Sequence, residues 1–238
     1  MTKSEVMMLA MPVMAAAVWL PVGEIPALQH EATNTYEITD SVTGVDVRAE
    51  AGEVLRGKEG EISVKAGEGP ISVREVLRYG NKKPSTAHTV ENGTLKLVSS
   101  GCAGERKCSV QYMIHVPAGT AATVRTNIGD IDVHGLTGDL NLVADTGDVT
   151  GDAVGSKSVT LHSGAGDARA DFTAPPDKVD VRADAGDVHL TLPAGSYDLQ
   201  ATAGAGDRRV SGNVTSDAGS PRKVRAVTGA GDVSIAGR

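Results

Sequence analysis

The dipeptide Gly-Asp recurs at Gly129-Asp130, Gly147-Asp148, Gly166-Asp167, Gly186-Asp187, Gly206-Asp207 and Gly231-Asp232, at intervals of 18, 19, 20, 20 and 25 residues. A period of this size marks a repeat architecture. Each unit is too small to bury its own apolar face, so it must stack on its neighbours. Two further copies, Gly138-Asp139 and Gly151-Asp152, fall outside the spacing and read as linking loops.

The residues around the dipeptide say what each unit is. Three positions before the glycine stand Thr126, Ala144, Ser163, Ala183, Ala203 and Thr228, all small. Five before it stand Val124, Leu142, Leu161, Val181, Ala201 and Ala226, and seven before it Ala122, Leu140, Val159, Val179, Leu199 and Val224. Residues between these are mostly polar, so the period is two, that of a half-buried strand. After the aspartate come Ile131, Val149, Ala168, Val188, Arg208 and Val233. A second strand therefore leaves the corner, and Pro- and Gly-rich loops such as Pro193-Ala194-Gly195 close the unit. Arg208 breaks the outgoing column and marks either a distorted coil or a place where the core opens.

Because equivalent positions keep one polarity from repeat to repeat, like stacks on like and the strands lie parallel to their copies. The expected fold is all-β, a parallel β-solenoid of two sheets around a thin core. The rival is an antiparallel β-sandwich using the corner as a hairpin turn. Composition favours a thin core: aromatics are 3% of the chain, with one Trp (Trp19) and one Phe (Phe172), against 29 Gly.

Upstream, Val45-Asp-Val-Arg-Ala-Glu-Ala-Gly-Glu-Val54 repeats the columns with Glu53 in the aspartate place, and Gly60-Glu61 and Gly67-Glu68 are shorter echoes. Alternating strands at 71–79, 94–98 and 109–116 read as hairpins that seal the first coil, whose core and edges would otherwise face solvent. The expected organisation is a leader or anchor with a short linker over 1–32, an N-terminal β region over 33–119, and the solenoid array over 120–238.

Val6 to Val22 is nearly all apolar, carries Pro12 and Pro21, and includes Ala15-Ala16-Ala17 as a cleavage-type pattern. A cleaved signal peptide and an uncleaved membrane anchor both fit, and both imply export. In an exported chain the only two cysteines, Cys102 and Cys108, are expected to form a disulfide that pins a tight loop. A metal would need two further ligands, and none stands nearby. The net charge of −7, without a Lys/Arg block, argues against a nucleic-acid partner.

The tandem Gly-Asp-Val coils, Leu77-Arg78-Tyr79, the Cys102 to Cys108 loop and Tyr112-Met-Ile-His-Val-Pro-Ala-Gly119 together resemble the DUF4097-type β-strand-repeat family of bacterial proteins, described as candidate adhesins. The resemblance covers residues 36 to 238. It implies a β-solenoid outside the cytoplasmic membrane with no established enzymatic activity, and some relatives are linked to envelope stress. Many actinobacterial members carry a lipoprotein-type leader; this chain lacks the leader cysteine. The resemblance supplies no binding residues.

For the corner itself, Gly129, Gly147, Gly166, Gly186, Gly206 and Gly231 are expected to take the positive φ that a sharp corner demands. The aspartates are expected to accept hydrogen bonds from backbone N–H groups just past them. A calcium ladder on Asp130, Asp148, Asp167, Asp187, Asp207 and Asp232 is the functional alternative, though it is sparser in carboxylates than calcium-binding β-rolls. Nucleophile-elbow, zinc-protease and phosphate-loop motifs do not occur, and the six histidines lack ligand spacing, with His162 and His189 expected on the surface. The sequence therefore points to a non-enzymatic envelope protein without cofactors, an adhesin or structural module contacting an unidentified surface macromolecule. An envelope-stress sensor is the first alternative. A polysaccharide-active enzyme drawing on Asp167, Arg169, Asp171, Arg182, Asp207, Arg208 and Arg209 is the second.

Overall fold

The computed structural model describes residues 30–51, 60–105 and 107–238, so the apolar segment Val6 to Val22 and the Gly52-Glu53 echo lie outside the described residues. No described helix is long and apolar enough to cross a membrane. In chain order the strands are β1 (His30–Ile38), β2 (Gly44–Ala49), β3 (Ile62–Ala66), β4 (Ile71–Tyr79), β5 (Ser85–Glu91), β6 (Thr94–Ser100), β7 (Ser109–Val116), β8 (Ala121–Ile128), β9 (Ile131–His134) and β10 (Leu140–Thr146). There follow β11 (Val149–Val154), β12 (Ser158–Ala165), β13 (Ala168–Phe172), β14 (Lys178–Ala185), β15 (Val188–Leu192), β16 (Gly195–Ala205), β17 (Arg208–Gly212), β18 (Val214–Ser216), β19 (Lys223–Ala230) and β20 (Val233–Gly237).

These strands form two sheets of ten. Strands that run into a corner make the incoming sheet, and those that leave it make the outgoing sheet. The sequence columns become rows across the incoming sheet: Ala122 pairs with Leu140, Leu140 with Val159, Val159 with Val179, Val179 with Val224, and Val224 with Leu199. All these pairings are parallel, which makes the fold a solenoid and sets the sandwich aside. Inward side chains such as Val124, Leu142, Leu161 and Val181 meet Ile131, Val149, Ala168 and Val188 from the outgoing sheet in one core that runs from Ile38 to Ile235. The small column before each corner has a second use where it carries a hydroxyl. Ser163 donates to the Gly147 carbonyl at 2.8 Å and Thr228 to that of Gly186 at 2.7 Å.

Coil order in space differs from coil order in the chain at both ends. The outgoing sheet runs β1-β4-β7-β3-β9-β11-β13-β15-β20-β17, so the final coil, β19 and β20, is inserted beneath the coil of β16 and β17. Likewise β2 and β3 lie between the β8–β9 coil and the β6–β7 coil. The strands at 94–98 and 109–116, read from the sequence as hairpins, pair on one side antiparallel with β5 and β4 and on the other parallel with β2 and β3, so they also make a full coil. Antiparallel pairing is confined to β1 with β4, β4 with β7, and β5 with β6, which do seal that end.

Three details refine the corner pattern, and one of them, the place of Gly151-Asp152, differs from expectation. Gly60 occupies the corner place of the β2–β3 coil, against which Gly129 packs, and Glu61 follows it in the aspartate place. Gly138-Asp139 does lie between strands, but Gly151-Asp152 lies inside β11, where the alternation set by Val149 carries Thr150 and Asp152 outward. Arg208 pairs with Val233 in the inward row, but β17 is the last strand of its sheet and is exposed throughout. Its charge reaches solvent because the stack ends there.

The sealed end is polar inside. Glu75 on β4 is buried and accepts hydrogen bonds from Tyr36 (2.7 Å), Thr86 (2.9 Å) and Asn34 (3.1 Å), while Tyr36 on β1 stacks on His88 of β5 with ring centroids 4.2 Å apart. Burial, reinforced by Glu75, pushes the Tyr36 and Tyr112 phenols well above their ordinary range, so both stay neutral. The ring pair spans the two sheets and closes the core.

Candidate functional site

The corner ladder is built first by the glycines. The six have φ between 134° and 144°, a region that side chains rarely adopt. Each also lies against the corner glycine of the neighbouring coil, so that an added Cβ would fall 2.0–2.3 Å from that residue's carbonyl oxygen. Close approach, as much as φ, demands glycine here.

The aspartates act between coils rather than within one. Asp148 N–H donates to Asp130 Oδ1 (2.9 Å), Asp167 N–H to Asp148 (2.8 Å), Asp187 N–H to Asp167 (2.9 Å), Asp232 N–H to Asp187 (2.8 Å) and Asp207 N–H to Asp232 (2.8 Å). The expected capping partner just past the aspartate is replaced by the next aspartate's own N–H, because stacking brings it directly over the carboxylate. At Asp167 that bond, helped by Arg169, holds the carboxyl below its ordinary range. One oxygen of each of these accepting carboxylates is thus committed to the stack. Among the described residues no group of three or more His, Cys, Asp or Glu side chains is placed to hold a metal ion.

The disulfide joins Cys102 and Cys108 as expected, and both residues are buried. Their loop turns the β6–β7 coil where the others use Gly-Asp or, at Gly60, Gly-Glu. His162 and His189 face outward as expected, His162 Nε2 lying 3.4 Å from Asp184 and His189 Nε2 3.8 Å from Asp187. On the same strand as Asp184, Arg182 donates to that carboxylate and holds its pKa low. The charged set considered for glycan chemistry does not converge. Asp167, Arg169 and Asp171 are near one another, but Arg182 lies on the other sheet and Asp207, Arg208 and Arg209 lie at the end of the stack.

A different surface offers a candidate site. The outer face of the outgoing sheet carries depressions of about 470 Å³ and 400 Å³ that share Thr150 and Asp152 and so form one trough. It crosses β3, β9, β11, β13 and β15, which are consecutive in the sheet. Each strand contributes two outward side chains: Ser63 and Lys65, Asp132 and His134, Thr150 and Asp152, Arg169 and Asp171, His189 and Thr191. Asp152 accepts from His134 Nδ1 at 2.8 Å, and Asp171 pairs with Arg238. Carboxylates and cations nearly balance along the floor, and the corner aspartates border one side. Of these residues, the sequence patterns single out only Arg169, Asp171 and His189. Alternation after Val149 is the signal that exposes Thr150 and Asp152, and the Gly151-Asp152 dipeptide masks it by imitating a loop.

A family model described as Toastrack DUF4097 matches residues 55–236. No curated protein matches the chain. A solved structure described as a candidate cell adhesion protein from Clostridium sporogenes is similar with TM-score 0.52 at 14% identity, over 89% of this chain and 100% of that one. Candidate adhesins from Parabacteroides distasonis and Parabacteroides merdae match at TM-scores of 0.30 and 0.29, with 11% and 10% identity, over 87% and 86% of this chain and 97% and 95% of theirs. At 14% identity the likeness to the Clostridium sporogenes structure speaks to the fold alone.

Proposed function

The chain belongs to the Toastrack DUF4097 family, and from that premise we propose that it is a non-enzymatic binding protein of the cell envelope, holding a surface macromolecule in the trough of its outgoing sheet. The observation that carries this reading is the trough itself, five coils long, with two outward side chains per coil on a scaffold whose corner and inward rows are rigidly stacked. A rigid floor limits the ordering cost of binding. Placement outside the cytoplasm is supported by the Cys102–Cys108 disulfide, a bond that persists in oxidising compartments. In this reading residues 1–32 export or anchor the chain and 33–238 bind. The cell-adhesion description of the Clostridium sporogenes structure agrees with it.

The test is co-sedimentation of the full exported protein with native envelope material. Lys65→Glu combined with Asp152→Lys reverses charge at two exposed points of the trough and should abolish sedimentation. Asp180→Lys, on the opposite sheet, should leave it intact. Equal sedimentation of all three proteins would refute the proposed face.

A further inference from the structure

We infer that the ligand of the trough is an extended, hydroxyl-rich glycan lying along the stack, with one sugar ring per coil. The inference rests on the trough as the binding face and adds the chemistry of its occupant.

Period comes first. Adjacent strands lie about 4.8 Å apart, so the five coils span about 19 Å from β3 to β15. Sugar rings in an extended β-linked glycan repeat at nearly this interval. A chain laid across the strands therefore meets one pair of outward side chains at each ring. An extended peptide repeats its facing side chains at about 6.7 Å and falls out of step within a few coils. Peptide strands also bind by adding to a sheet edge rather than by crossing its face.

Charge comes second. A polyanion, nucleic acid included, would meet the bordering row of corner aspartates and be repelled. A neutral chain would not.

Chemistry comes third. Hydroxyl and acetamido groups both donate and accept, and the trough offers both kinds of partner: Thr150 hydroxyl, Asp152 and Asp132 carboxylates, Lys65 and Arg169 cations. Among the described residues no Phe, Tyr or Trp lines the trough. Affinity therefore comes from many hydrogen bonds, each worth a few-fold, and depends on length.

The experiment is calorimetric titration of the full exported protein with N-acetylglucosamine oligomers and cello-oligomers of one to eight rings. Affinity should rise about fivefold per added ring up to five rings and then level off. Thr150→Val with Asp152→Asn, at the shared centre, should weaken long and short oligomers about tenfold or more, with an unchanged melting temperature reporting an intact fold. Arg169→Ala should penalise only the longer ones. Absence of binding by every oligomer, or affinity independent of length, would overturn the glycan. If the charge-reversed trough still loses envelope sedimentation in that case, the binding face survives without it; if sedimentation is unaffected too, both readings fall.

Discussion

Replacing Gly166 by alanine separates the two reasons for glycine at the corner. Its φ is +144°, and the new Cβ would lie 2.3 Å from the Gly147 carbonyl oxygen and 2.9 Å from Asp148 Oδ1. The backbone conformation alone costs an alanine about 2 kcal/mol. Relieving the overlap means lifting the coil. That weakens the Gly147 N–H bond to the Ala165 carbonyl (2.9 Å) and the Asp167 N–H bond to Asp148 (2.8 Å), at about 1 kcal/mol each. The sum is about 4 kcal/mol, or a melting temperature lower by about 8–16 °C for a chain of this size. Gly69 is the control: its φ is +95° but a Cβ there would meet nothing within 4 Å, so Gly69→Ala should cost only the conformational part, about 2 kcal/mol. Urea unfolding followed by circular dichroism reads both. If the two variants lose equal stability, close approach between coils is not what the corner glycine serves. Gly206→Ala adds a gradient. Its Cβ would fall 2.0 Å from the Gly231 oxygen, yet the outermost coil can yield, so the loss should be local, visible as faster hydrogen exchange in 198–212 with little change in the global midpoint.

Hydrogen exchange of the parent protein should show residues 223–237 more protected than 198–212, by about tenfold or more, because β19 and β20 have ladders on both sides and β17 on one; a C-terminus that exchanges first would contradict the inserted coil. Arg208→Val removes the inward cation that guards the open end beside the exposed Val210, and should produce concentration-dependent association in light scattering; a monomer at every concentration would speak against edge protection. The depressed Asp167 pKa, caused first by the Asp187 N–H, makes its contribution fully present above about pH 4 and lost as pH falls through the lower folded value. Asp167→Asn should thus cost up to about 1 kcal/mol at neutral pH, after solvent screening, and progressively less as pH falls below about 4; a cost that does not change with pH would exclude the charge as its source. Reducing the Cys102–Cys108 disulfide should lower stability by about 2 kcal/mol in urea titrations with and without dithiothreitol.

The solenoid was legible because stacking imposes one requirement on every coil. Leu140, Val159 and Val179 must fill the same slot, and the periodicity records it. Coil order was not legible for the same reason. Val224-Ala226-Thr228 and Leu199-Ala201-Ala203 satisfy one inward row equally well, so neither declares which coil is outermost. Only Arg208 does, since an inward cation is tolerable where no coil follows. The β6–β7 coil was hidden by its corner, which uses a disulfide loop in place of Gly-Asp.

The trough was harder to read because its rows lack the repeat that makes the rest visible. Corner and inward positions are committed to stacking: the carboxylates of Asp130, Asp148 and Asp167 hold the next coil's N–H, and the glycines hold the approach. Outward positions make no stacking bond of that kind, and down one row they read Ser63, which is buried, then Asp132, Thr150, Arg169 and His189. A lattice of identical ions would ask for the same ligand in every coil. A mixed row of donors and acceptors suits instead a partner whose groups do both, which is the chemistry of a polyhydroxylated chain. On the proposed reading the uniform row belongs to the scaffold, and the varied one to recognition.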